Sequence, residues 1–248
     1  MATSSFIAKL SAATVGVGFI TVGAVLPDAV QALTLTTSRT ALESNDSVNW
    51  GVMGSQFTDV PNPFSAKSSG GLGLTVSQTS GTFQRLDQGG GVWRGNFAQE
   101  DALLFTRRDN PGPITIDFDV PILGAGTQIQ AAGGTTSIFN FPATIEAFDR
   151  LGNSLGSFTV QGTSEFGGVS DNSAIFMGVS SDSANIAKLT INGETEAGSG
   201  FAINKLDLVS TDVTSPKSVP EPASTVALLG LGGFGVCSRL LRKHPNRK

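Results

Sequence analysis

Tyrosine is absent from this sequence, and cysteine and histidine occur once each, as Cys237 and His244 near the C-terminal end. The long middle stretch therefore has no disulfide, no Cys/His metal site and no histidine for acid–base chemistry. A serine nucleophile would lack its histidine partner, and no G-x-S-x-G elbow occurs. Charge is sparse as well, at 15% of 248 residues, so the Glu/Lys/Leu/Ala stretches that build helices are few. Glycine (31) and phenylalanine (16) are plentiful instead, and that balance points to β structure.

The net charge of -4 is unevenly spread. Between Leu33 and Pro220 stand 10 Lys/Arg against 18 Asp/Glu, whereas Arg239, Arg242, Lys243, Arg247 and Lys248 crowd the last ten residues. An acidic body argues against nucleic acid as a partner, because phosphate binding needs a positive field. The basic tail reads as a topology signal.

Both ends carry targeting sequence. Lys9 precedes an uncharged apolar run from Leu10 to Leu26, and Pro27 and Asp28 close it. Val30-Gln31-Ala32 then sets compact residues at -3 and -1, so residues 1–32 are expected to be a signal peptide cleaved after Ala32. Export machinery and signal peptidase are the partners this implies. At the other end, Val219-Pro220-Glu221-Pro222 leads through Ala223-Ser224 into an apolar stretch, Thr225 to Cys237, and then the basic cluster. These three parts, in this order, resemble the PEP-CTERM sorting signal of exported bacterial proteins. The resemblance implies processing by an exosortase, a membrane-embedded transpeptidase, acting around Val219, Pro220, Glu221 and Pro222.

The physics of the tail agrees with that resemblance. An apolar run of ~13–15 residues is short of the ~20 that span a bilayer. Arg239 can snorkel and let Leu240 and Leu241 lengthen it into an anchor helix. The basic tail holds the terminus in the cytoplasm. Pro220 and Pro222 keep Glu221 in extended, accessible backbone. Gly230, Gly232 and Gly235 match G-x-G-x-x-G, but no strand–turn–helix unit surrounds them, and small residues for close helix approach are the better account. Cys237 follows no lipobox and reads as a buried thiol.

Residues 33–209 are expected to form one domain, 210–218 a linker, and 219–248 the sorting signal with its short transmembrane segment. Within the domain, Ile114, Ile116, Phe118 and Val120 alternate with Thr115, Asp117 and Asp119, the mark of a half-buried strand. Similar runs are 72–78, 103–106, 127–131, 144–148, 157–161, 174–179, 186–191 and 202–209, separated by turn chemistry such as Asn192-Gly193. The expected fold is all-β, a single antiparallel sandwich of jelly-roll type, flanked by the signal helix and the anchor helix. Trp93 to Phe97, Leu103 to Thr106, Gly112 to Ile116 and Ala174 to Val179 also resemble exported PEP-CTERM proteins without a biochemical role. That resemblance implies fold and export, and it brings no catalytic motif.

Candidate sites are few. Trp50 and Trp93 sit in turn-rich sequence, and Trp93 could stack on a sugar ring with Arg94, Asn96 and Gln88 beside it; core packing is the other account of both. Glu100-Asp101, Asp109-Asn110, Asp171-Asn172 and Asp182 offer oxygens to a structural calcium, the one cofactor left open, yet no D-x-D-x-D-G loop is present and turn formers explain them. A glycosidase needs a facing carboxylate pair, and nothing singles one out. The expectation is thus a non-catalytic surface or matrix protein associated with exopolysaccharide through its anchored form. A carbohydrate-binding module centred on Trp93 comes second, and a glycoside hydrolase third.

Overall fold

The computed structural model describes residues 33–89, 92–108, 110, 112–133, 138–193 and 199–211. The expected signal helix, the anchor helix, and Ala32, Val219, Pro220, Glu221 and Pro222 lie outside them.

Fifteen strands run through the described residues. The first seven are β1 (Thr34–Thr36), β2 (Asp46–Val48), β3 (Asp59–Val60), β4 (Phe64–Lys67), β5 (Gly73–Gln78), β6 (Phe83–Asp87) and β7 (Ala102–Phe105). Then come β8 (Ile114–Ile122), β9 (Gly124–Ala131), β10 (Ile138–Phe148), β11 (Ser154–Glu165), β12 (Ile175–Ser180), β13 (Ile186–Gly193), β14 (Phe201–Ile203) and β15 (Leu206–Val209). They form two antiparallel sheets, one ordered β1-β12-β9-β14-β7-β6-β3 with β15 and β2 attached, the other β11-β10-β13-β8-β5-β4.

The strands β7 to β14 alternate between the sheets as a jelly roll does. Counted one to eight, they stand in the orders 6-3-8-1 and 5-4-7-2. The chain thus folds a long hairpin of paired strands across both sheets, which is the jelly-roll arrangement. Extra strands widen both sheets on the β5–β6 side, and β1 extends the first sheet beyond β12.

Period-two patterning explains the core. Ile114, Ile116 and Phe118 of β8, Ala143, Ile145 and Ala147 of β10, and Leu189 and Ile191 of β13 point inward. They meet Phe201, Ile203, Ile129, Met177 and Val179 of the other sheet. Trp50 is fully buried in the same core, with its indole N–H donating to the Asn204 carbonyl at 2.7 Å. One alternation breaks early: Val120, expected inside, is 41% exposed. The register of β8 against β13 shifts between Ile186 and Lys188, and Ile122 takes the inward place.

Candidate functional site

A second, smaller apolar cluster lies outside the sandwich. Leu103 and Phe105 of β7, Leu86 of β6 and Ala202 of β14 belong to it, while the intervening Leu104 and Ile203 face the main core. Strand registers align Gln84, Phe105, Ala202 and Gln130 in one row across the outer face of the sheet. The loop that includes Trp93 and Phe97 folds over this row. Trp93 packs on Phe105 with ring centroids 5.4 Å apart and donates its indole N–H to Gln130 Oε1 at 2.8 Å. Gly95 permits the close approach, since a Cβ there would overlap the Gln130 amide.

This cover turns outward-facing polar residues into interior ones. Asn96 is 2% exposed; its Oδ1 accepts from Gln130 Nε2 at 2.9 Å and from the Glu165 N–H at 2.8 Å. Its Nδ2 donates to Ser173 Oγ at 3.0 Å. Further along the same face Asn204 receives the Gln128 N–H at 3.1 Å and Arg39 Nη2 at 3.0 Å. It donates to Asp101 Oδ2 at 2.8 Å and to Gln128 Oε1 at 2.6 Å. Asp207, almost wholly buried, holds Lys205 at 2.8 Å and Arg39 at 3.3 Å. Buried polar groups need such pairing, and the loops supply most of it here, while Gln88 Oε1 and Asp207 Oδ2 accept no hydrogen bond among the described residues.

One expectation, a sugar platform on Trp93 with Asn96 beside it, is corrected by this arrangement. Trp93 is only 4% exposed and packed among Phe97, Phe105 and Phe166, so it offers no free face for a sugar ring. Asn96 is spent on structural hydrogen bonds, as is Gln88, whose Nε2 donates to the Gly95 carbonyl and to Ser170 Oγ. Arg94 alone of that set stands exposed. Among the candidate calcium donors, Asp171 accepts from Ser173 N and Oγ, and Asp101 from Ala98 N and Asn204. No group of three or more His, Cys, Asp or Glu side chains stands together among the described residues.

Beside the packed Trp93 opens a groove of about 410 Å³. Its floor is Gln84, Leu86, Phe105 and the small exposed part of Trp93, and Phe166 and Phe57 belong to its walls. Phe57 is 58% exposed and sits at φ 70°, a left-handed conformation that costs a bulky residue energy. Arg94 and Arg108 complete the lining, and neither guanidinium forms an ion pair or hydrogen bond with a described residue. No Asp or Glu lines the groove among the described residues. Sequence reasoning passed over Phe57, Phe166 and Arg108; the one available signal was Arg107-Arg108, the sole adjacent basic pair in an acidic domain.

A second concavity, of about 300 Å³, holds Asp46, Asp119 and a run of glycines. Burial pushes the Asp46 carboxyl up, but hydrogen bonds from Ser68, Ser69, Gly70 and Ser47 outweigh it and hold the group below its ordinary 3.8. With both oxygens engaged, this carboxylate is a loop clamp. A depressed carboxyl stabilises the fold fully above its unfolded value and loses that contribution as pH falls through the folded one. Side-chain NMR should therefore place the Asp46 midpoint below 3.8. Thermal stability should decline only as pH drops past that range, and a midpoint at or above 3.8 would contradict the clamp.

Comparison with known proteins bears on the chain's end. The PEP-CTERM protein-sorting motif matches residues 218–243. That match implies export, handling by an exosortase and anchoring in a membrane. A solved structure, that of a DUF4465 family protein from Bacteroides caccae ATCC 43185, is similar at 10% identity with a TM-score of 0.32, covering 64% of this chain and 99% of that one. A likeness of that size carries nothing about function. No curated protein matches the sequence.

Proposed function

We propose that the protein is a non-catalytic component of the cell surface or extracellular matrix, processed by an exosortase near Val219–Pro222, that holds acidic exopolysaccharide in the groove beside Trp93. The sorting motif at residues 218–243 supports the first half of this reading. The second half rests on one observation: two arginines with no acidic partner among the described residues border a partly aromatic groove of about 410 Å³ in an otherwise acidic domain. A guanidinium pairs with a carboxylate through two parallel hydrogen bonds, and the exposed Phe57 ring gives a sugar face something flat to rest on. In this reading the sugar site lies next to Trp93 and not upon it.

Calorimetry with polygalacturonate and with neutral dextran tests the proposal. Polygalacturonate should bind, more weakly as salt rises, and dextran should not. Each exposed guanidinium–carboxylate contact counts for about 1 kcal/mol. The double substitution Arg94→Ala with Arg108→Ala should then weaken binding about thirtyfold. Equal binding of dextran, or no loss in the double variant, would sink the glycan half while leaving export untouched.

A further inference from the structure

The two sheets end in edges of very different character. Strands β1, β2, β3 and β4, each paired on one side only, are 3, 3, 2 and 4 residues long. Short edges are a usual guard against unwanted pairing. The remaining edge is β11, 12 residues long, paired to β10 and to no other described strand. Its sequence, Ser-Leu-Gly-Ser-Phe-Thr-Val-Gln-Gly-Thr-Ser-Glu, contains no proline and no lysine, and its only charge is the terminal Glu165. The usual guards are missing where the edge is longest.

The ends of this edge are nevertheless closed. Pairing with β10 is unbroken from Glu165 to Gly156 and shifts register before Ser154. At the other end the Glu165 N–H donates to Asn96 Oδ1 at 2.8 Å. The open stretch is therefore Gly156 to Ser164, and its midpoint is Val160. Because the Glu165 N–H turns away from β10, alternation turns the main-chain groups of Thr163, Gln161, Thr159 and Ser157 the same way. Among the described residues none of these main-chain groups meets a partner beyond β10.

We propose that β11 pairs antiparallel with β11 of a second copy of this chain, about a two-fold axis through Val160. In that register Thr159 faces Gln161 of the copy, Ser157 faces Thr163, and each facing pair exchanges two main-chain hydrogen bonds, about eight in all. Phe158 and Val160, which reach the core from the edge yet stay only half-buried, gain cover from the copy. No charge meets its like across the axis. A two-fold contact is closed, so it yields a dimer with one sheet continuous through both copies. The inference rests on the β11 edge alone and is independent of the groove.

Cross-linking in the full-length protein, made in its own cells, tests it. Val160→Cys in a Cys237→Ser background sets two identical thiols across the axis, with Cα atoms at about the 4.5 Å of a non-hydrogen-bonded pair, within disulfide reach. Added copper–phenanthroline, which takes the two electrons as the two thiols lose their protons, should convert most of the protein to a covalent dimer. Adding Thr159→Lys with Gln161→Lys places ammonium groups opposite each other twice, on exposed positions that leave the monomer intact, and the dimer should vanish. Thr159→Lys with Gln161→Glu places opposite charges there instead and should restore it. Matching far-UV circular dichroism and a cooperative thermal transition show that all variants fold. No dimer from Val160→Cys, a dimer that survives both lysines, or failure of the Lys/Glu pair to restore it would each overturn the proposal.

Discussion

Asn204→Ala is expected to cost about 3–5 kcal/mol of folding free energy, seen as a lower urea midpoint with an unchanged slope. The residue is 1% exposed and serves five groups through its side chain: Arg39, the Gln128 N–H, the Thr127 hydroxyl, Asp101 and the Gln128 amide. Truncation leaves the buried Gln128 main-chain N–H without its acceptor, and the Gln128 amide oxygen keeps only Arg39 of its two donors. Asn204→Asp separates shape from chemistry. It keeps the volume and the acceptors, but it turns an oxygen on Asp101 Oδ2, which now lies 2.8 Å from a donor. It should therefore also destabilise, whereas a contribution from shape alone would leave Asn204→Asp close to wild type.

The second large effect belongs to Trp93. Trp93→Ala should cost about 3–5 kcal/mol, because it empties the centre of the outer cluster between Phe97, Phe105 and Phe166. Trp93→Phe should cost about 1–2 kcal/mol, since most packing survives and Gln130 Oε1 still accepts the Asn96 N–H at 3.0 Å. Glycan binding discriminates the two roles of this side chain. Under the proposed function Trp93→Phe retains polygalacturonate affinity while Arg94→Ala weakens it about fivefold. A loss of affinity in a well-folded Trp93→Phe protein would return the indole to the binding surface.

Strands β5, β8, β10 and β13 announce themselves by alternation, with one face in the core and the other half-exposed, and they point to a sandwich. Strands β7, β9 and β12, buried on both faces, are legible only as short runs bounded by turn residues. Strands β1, β2, β3, β4 and β6 escape such a reading because they are short, polar or next to proline, as Asp59-Val60-Pro61 is. The stretch 202–209 reads as one strand, yet it is two, since Asn204 leaves the ladder to serve the buried network. The site was harder for the same reason. Gln128 and Gln130 have the polarity of a solvent face, and only the fold of a distant loop makes that face interior. The glycines around Trp93 suggest exposure when read along the chain; in space Gly95 lets the loop lie close on the sheet.

Strand β15 has a mechanical meaning for a protein held by its C-terminal end. It is bonded on both sides, with Leu206 to Leu208 against β2 and Asp207 to Val209 against β9. A pull on the chain beyond Val209 acts along the strand, so both ladders bear it together in shear instead of unzipping bond by bond. The Asn45 side chain adds a clasp at the exit, donating to the Ser210 carbonyl at 2.7 Å and accepting its N–H at 2.9 Å. Where such a domain is tethered at one end and loaded by polymer at its flank, the point of attachment is among the last regions of the sheet to give way.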